Sequence, residues 1–272
     1  RRMALADEAC ALVRGRGEEA IEVMSSLTRH AAAMELGERA AAGEEFERLE
    51  RLLRRLRSPY WRSLLPMLRS GHALVDGSFA EAEALAGAAF GASELPFFPY
   101  EMSLATAIGA VRFHQGRGQE IPVLLAPLLA LHPRPAVALQ AARVMGLLEA
   151  GHLEEARRAL GSFVREGLES LVGSDNWTFS LTLLAWACSE LEDADTARAL
   201  IPLLAPRAGE CVDVSNGQFC AGPVGFPLGL CALACGDLEA ANGFLAAALE
   251  RADGLRSPVW RAWVLATQSR VQ

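Results

Sequence analysis

The stretch LEAGHLEEARRAL, residues 148–160, is one copy of a pattern that recurs along the chain, and the recurrence limits the fold more than any other feature. With Gly151 as position zero, Leu153 stands at +2, Ala156 at +5 and Leu160 at +9. The same register holds Gly77, Phe79, Ala82 and, at +8, Leu85; it returns as Gly236, Leu238, Ala241, Phe244 and Leu245. A copy lacking the glycine has Glu192, Ala194, Ala197, Leu200 and Ile201; a degenerate one has Gly116, Gly118, Ile121, Leu124 and Leu125; Gly37, Ala42 and Phe46 make a sixth. Each reads as a helix hairpin. The glycine ends one helix in a left-handed cap, the polar residue after it opens the next, and a small side chain at +5 lets the two axes approach closely.

Successive anchors lie roughly 35–45 residues apart, looser than the tetratricopeptide period of about 34. The expectation is an all-α fold, a tetratricopeptide-like α-solenoid of about seven antiparallel helix pairs, forming a single domain over residues 1–272. Apolar patterning of period 3.6 places helices at 3–14, 18–36, 40–57, 60–76, 78–92, 98–115, 119–132, 135–150, 152–171, 176–191, 194–207, 223–235, 237–252 and 258–270. Pro59, Pro96, Pro99, Pro133, Pro135 and Pro258 sit at or near helix starts, where a missing N–H costs little. No alternating run predicts a strand. A nested array of this kind is expected to wind into a curved cradle whose concave face binds something.

Composition excludes several activities. All 26 basic residues are Arg. Without a lysine the chain houses no P-loop, no kinase strand lysine and no Schiff base for pyridoxal phosphate. A net charge of −7 and a pI near 5.4 give no general footprint for nucleic acid or an anionic membrane. IPVLLAPLLALHP, the best apolar run, is broken by Pro122, Pro127 and Pro133 and falls short of a membrane span. RRMALADEAC has no signal-peptide core, so a cytoplasmic protein with reduced thiols is expected. Because the chain opens on Arg1, it reads as a piece of something longer, with Met3 as the other candidate start.

The one long break in helical patterning is GECVDVSNGQFCAGPVG, residues 209–225. Asp213, Ser215, Asn216 and Gln218 can present polar groups there, and Gly217 and Gly222 permit close backbone approach. The segment equally fits a packed crossover between helices. Cys211, Cys220, Cys231 and Cys235 fall close together but lack the CxxC pair that zinc sites use, so they read as core cysteines and no metal or cofactor is expected. In EEFERLERLLRRLRSPYWR, Glu44, Glu47 and Glu50 precede Arg48, Arg51 and Arg54 by four residues, the spacing of a self-paired solvated face. Trp177, Trp186, Trp260 and Trp263 suit either a core or a ligand groove, and Asp175 suits the N-cap of the helix that Trp177 opens. None of His30, His72, His114, His132 and His152 stands beside a nucleophile in sequence.

Residues 174–270 resemble the C-terminal part of large bacterial signalling ATPases, which join a nucleotide-binding module and a tetratricopeptide-like array to a LuxR-type DNA-binding domain or a class III adenylate cyclase domain. The resemblance rests on Asp175-Asn176-Trp177 opening a helix, on LLAPRAG at 203–209 with the non-helical stretch to Cys220, on GDLEAANGFLAAALE at 236–250 and on SPVWRAW at 257–263. SPYWRSLLPMLRSGHALVDGSFAEAEALA, residues 58–86, resembles the upstream part of the same array. No Walker motif, cyclase carboxylate set or DNA-reading helix is recognisable, so those roles belong to a parent chain. The resemblance implies a non-catalytic regulatory or sensor module whose partner is a protein segment, a neighbouring domain of the same regulator or a small-molecule effector. It would contact neither nucleic acid nor membrane directly. Its candidate binding residues are Asp175, Asn176, Trp177, Asp213, Asn216, Gly217 and Gln218. The alternatives are a stand-alone scaffold and an enzyme with a pocket at the 209–225 loop.

Overall fold

The computed structural model describes residues 2–13, 15–56, 59–92, 98–131 and 137–271. Among these residues the fold is all-α apart from one short hairpin. The helices are α1 (Arg2–Val13), α2 (Glu19–Glu35), α3 (Arg39–Arg55), α4 (Pro59–Asp76), α5 (Phe79–Ala92), α6 (Phe98–His114), α7 (Ile121–Leu131) and α8 (Val137–Glu149). Then come α9 (Leu153–Glu166), α10 (Trp177–Leu191), α11 (Ala194–Leu204), α12 (Gly225–Ala234), α13 (Leu238–Gly254) and α14 (Pro258–Gln268).

The repeat register is visible in the backbone. All six anchors have positive φ: Gly37 71°, Gly77 82°, Gly116 72°, Gly151 75°, Glu192 55° and Gly236 75°. After each, the next N–H returns to a carbonyl five residues back, as in Glu38 to Ala33, His152 to Leu147 and Asp237 to Ala232, each 2.9 Å. That bond closes the helix end in a Schellman-type cap. Ala42, Ala82, Ala156, Ala197 and Ala241, the +5 residues, are fully buried. The +2 position is less uniform, since Leu153 and Leu238 are half exposed. A seventh cap sits at Arg256 (φ 53°), where Ser257 N–H bonds the Ala252 carbonyl; neither a glycine nor a small +5 residue marks it in the sequence.

Glu192 is exposed and bears a Cβ where its counterparts are glycine. A left-handed non-glycine residue costs about 1 kcal/mol, partly offset by the greater unfolded-state entropy of glycine. Glu192→Gly is therefore expected to stabilise the chain by about 0.5 kcal/mol, read as a rise in the urea midpoint.

Consecutive helices pack on one another, and α4, α6, α8, α10 and α12 also pack each on the next, forming an inner wall. The array curls until its ends meet. α14 packs on α4, Arg251 Nη1 donates to the Leu36 carbonyl at 2.7 Å, and the buried Ser257 hydroxyl donates to the Val75 carbonyl at 2.6 Å. Ala33, Met34, Val75, Cys211, Cys220 and Leu255 share one apolar cluster, so helices from both ends are joined through the segment between α11 and α12.

That segment corrects the expectation of no strand. β1 (Cys211–Val214) and β2 (Phe219–Pro223) form an antiparallel hairpin, pairing Asp213 with Cys220 and Val214 with Phe219. It touches α2, α4, α10, α12 and α13, and so fills the hollow of the array. Alternation is the mark of a strand with one wet face. Here every residue of β2 is buried, and so are all but Asp213 of β1, so no alternation exists to be read. The basic run on α3 is also only partly self-paired: Arg54 bonds Glu50 at 2.7 Å, but Arg48 reaches across to Glu22 on α2, and Glu50 also takes Arg69 from α4. Arg57 and the side chain of Arg62, like His132, lie outside the described residues.

Candidate functional site

The two sequence segments carrying the candidate residues come together at the hairpin tip. Ser215, Asn216 and Gly217 turn the chain with φ of 53°, 57° and 87°. The Asp213 carboxylate accepts from Gly217 N–H at 2.6 Å, and Asn176 Oδ1 accepts from Ser215 N–H at 2.8 Å. Arg2 donates to Asp213 at 3.0 Å, to Asn216 Oδ1 at 2.9 Å and to Glu35 at 3.2 Å. Glu35 also pairs with Arg207, whose guanidinium lies 5.6 Å from the centre of the Trp177 ring and 2.6 Å from Glu210. Burial pushes the Asp213 carboxyl above its ordinary value, against the opposing pull of Arg2 and the Gly217 N–H.

These bonds show what the candidates hold. Asn176, Asp213 and Asn216 pin the tip to α1 and α10. Gly217 lies so close to α2 that an added Cβ would stand 3.0 Å from Ala31 Cβ and 3.1 Å from His30 Cδ2. The Gln218 carbonyl is pressed against Gly71 of α4, and its buried side-chain Oε1 has no partner among the described residues. Asp175 stands apart, exposed. The N-cap expected of it falls instead to Asn176, in the left-handed conformation and with no side-chain cap bond, because its amide is committed to the hairpin. Asn176→Gly keeps that backbone conformation and removes the bond to Ser215. It is expected to lower stability by about 1 kcal/mol, the usual worth of one hydrogen bond, checked by chemical denaturation.

Behind the hairpin lies a cavity of about 60 Å³ lined by residues of α4, α6, α7, α8, α10, β2 and α14. Gly109, Phe113, His114, Trp186, Phe219 and Trp260 mark its wall. The aromatics interlock edge to face: Phe113 on Trp186 at 4.9 Å and Trp186 on Phe226 at 5.1 Å. His114 stacks on Phe79 at 5.6 Å and meets Trp260 edge-on at 5.5 Å. It also borders a groove on the far side with Phe79, Val259 and Trp263, so the ring stands in the wall between the two spaces. Trp263 Nε1 donates to His114 Nδ1 at 3.3 Å. Burial pushes His114 down to about 4, leaving the imidazole neutral at pH 7 with its proton on Nε2.

A second histidine pair flanks the hairpin tip. His30 and His72 stack 5.1 Å apart, and burial pushes both down, His72 to about 2 with the Arg39 charge adding to the effect. Cys211 and Cys220 lie buried in the hairpin, where the Cys220 thiol and then burial push Cys211 above the usual thiol value. Among the described residues no three His, Cys, Asp or Glu side chains cluster as metal ligands. Sequence reasoning weighed Trp186 and Trp260 as core or ligand-stacking residues and found no role for His114. Its cavity is assembled by helices far apart in sequence, and no local signal foretells it. No described helix is long and apolar enough to cross a membrane. Set against known proteins, the chain matches no family model and no curated relative.

Proposed function

We propose that this chain is a non-catalytic regulatory helical-repeat module of a bacterial signalling protein, standing beside a nucleotide-binding module and a LuxR-type or adenylate cyclase output domain. The observation that carries this reading is the hairpin seated in the hollow of the array, bonded to Arg2 of α1 and packed against α13. A curved repeat array whose inner face is closed by its own chain offers two separate surfaces. The interior suits a small effector, and the outside suits a neighbouring domain.

Support for the second surface comes from α1 and α2. Solenoid ends ordinarily present polar faces, yet Leu5, Leu12, Ile21 and Met24 are about half exposed there. Exposed apolar patches of this kind mark interaction surfaces. Arg2 lies on the same helix and reaches the hairpin, so a domain resting on α1 would sense the state of the interior. An effector shifts such an equilibrium only by binding one state better than the other.

The test is the open reading frame flanking residues 1 and 272, followed by pull-down of this module with the domains encoded there. Capture that is lost in the Leu5→Glu/Leu12→Glu variant supports the proposal. A frame encoding no further domain, together with no capture, overturns it.

A further inference from the structure

We infer that the groove between α14 and the α4–α5 turn is a binding site for a small organic ammonium ion with an aromatic body, its charge against the Asp76 carboxylate and its ring against Phe79 and Trp263. The site lies on the outer seam of the array, so it goes beyond the proposed function and holds whether or not a domain rests on α1.

Space is the first support. The groove measures about 540 Å³, inside the range of about 300–1,000 Å³ usual for small-molecule sites and several times the roughly 150 Å³ that takes a benzene ring. Its lining is apolar apart from Asp76 and His114. Phe79, His114 and Trp263, all half-buried, make a continuous aromatic wall. Phe79 and His114 lie nearly parallel at 5.6 Å, and His114 and Trp263 are 6.4 Å apart.

Charge is the second support, and it is independent of the first. Among the described residues that line the groove, Asp76 alone is charged. Arg39 Nη2 donates to both of its oxygens at 3.0 Å, yet the Asp76 side chain stays 49% exposed against 14% for Arg39. A carboxylate has about four lone-pair positions, so two remain for a second donor. The groove therefore meets the anionic member of this pair and not the cationic one. His114 adds no positive charge, since burial keeps its imidazole neutral at pH 7. Donors that would hold an anion are few: Trp263 Nε1 bonds His114, the Trp260 N–H bonds the Ser257 hydroxyl, and Pro258 has no N–H. A cation gains further over an aromatic face, most of all over tryptophan. Carboxylate, ring faces and room together select a positive head on a flat apolar body.

A molecule seated there would touch both sides of the seam. The α4–α5 turn and α14 already approach so closely that a Cβ on Gly77 would stand 3.2 Å from Val259 Cγ2.

Naphthylethylammonium, the neutral naphthylethanol and the anionic naphthylacetate share a ring and differ in charge. Each is titrated into the full chain by calorimetry, with thermal shift in parallel. The ammonium is expected to bind about fivefold more tightly than the alcohol, the gain of one partly exposed ion pair. The acetate should bind more weakly than either, and the ammonium should raise the melting temperature. Asp76→Asn keeps the shape and removes the charge, so it should erase the ammonium's advantage and leave the alcohol's own affinity unchanged. Ala262 is exposed on the groove. Ala262→Arg supplies a cation of the chain's own and should weaken the ammonium at least about tenfold through like-charge repulsion, without lowering the melting temperature.

Failure of the ammonium to bind overturns the inference, as does equal or tighter binding of the alcohol or the acetate. An advantage that survives Asp76→Asn removes the carboxylate's role and with it the ligand class. Ammonium binding unchanged in Ala262→Arg also overturns the inference, since the probe then sits elsewhere. This last variant decides alone if Asp76→Asn, by freeing Arg39, fails to fold. Preference for the ammonium that is lost in both variants establishes the site.

Discussion

Gly71→Ala is expected to destabilise the fold by about 2–4 kcal/mol, in the range of overpacked cores, although the same change on an exposed helix stabilises. Gly71 lies in α4, where the hairpin tip crosses it. A Cβ there would stand 2.0 Å from the Gln218 carbonyl oxygen and 3.0 Å from both its carbonyl carbon and Phe219 Cα. All three are backbone atoms, so no side-chain rotation relieves the overlap. Either the hairpin lifts from α4, breaking the packing that joins the ends of the array, or α4 shifts within the inner wall. Gly87→Ala in α5 is the matched control, since a Cβ there meets nothing within 4 Å. It is expected to stabilise by about 0.5–1 kcal/mol through helix propensity alone. Urea midpoints of opposite sign for the two variants would establish the seating of the hairpin. Equal, mildly stabilising shifts would mean that the tip does not rest on α4.

How much of this was legible in sequence follows from which interactions are local. The cap glycine and the buried alanine lie five residues apart on one turn and one helix, so their spacing survives as a pattern. Gly37, Gly77, Gly116, Gly151 and Gly236 all take the conformation their register requires. Glu192 does so too, identified by its alanine and leucines and not by its own side chain. The hairpin lies at the opposite extreme. Its strands are dry on both faces, its tip is fixed by Arg2, Asn176 and Gly71, and these partners are separated from it by dozens to more than two hundred residues. The break in patterning at 209–225 was readable, but its placement was not. The same holds for His114: its meaning depends on Trp263 and on a cavity wall drawn from seven elements. Asp175, Asn176 and Trp177 are adjacent in sequence yet divide their roles, one in solvent, one bonding the hairpin and one beneath Arg207.

Mild acid is expected to destabilise this chain steeply through its buried imidazoles. His72 and His114 are held neutral in the native state, down to about 2 and about 4 respectively, and His30 is lowered as well. In the unfolded chain each titrates near 6.5. Above that pH neither state binds the proton, and these groups contribute no pH dependence. As the pH falls below it, the unfolded chain takes up protons that the native chain refuses, so stability declines by about 1.4 kcal/mol per pH unit for each imidazole. By pH 5 the loss is about 2 kcal/mol from each of His72 and His114, with His30 adding in the same direction, set against a usual total of 5–15 kcal/mol or so. Asp213 works in the opposite sense. Its folded value is raised, so the native chain accepts that proton before the unfolded chain does, and some stability returns as the pH passes through that range. Burial and the neighbouring Glu190 raise the Glu149 carboxyl as well, and three lowered imidazoles outweigh these two raised carboxyls, so the net slope is downward. The surroundings of His72 make the effect specific, because Arg39 contacts its ring and is itself held by Asp76 at 3.0 Å. Urea titrations at pH 7.5, 6.5, 5.5 and 4.5 should give a stability that is flat between the first two and falls steeply thereafter. In His72→Gln the slope below pH 6.5 should ease by about one third, one titrating group of three being removed. A stability that holds constant from pH 7.5 to pH 5 would mean that water reaches these rings, and with it the space between α4, α6 and the hairpin.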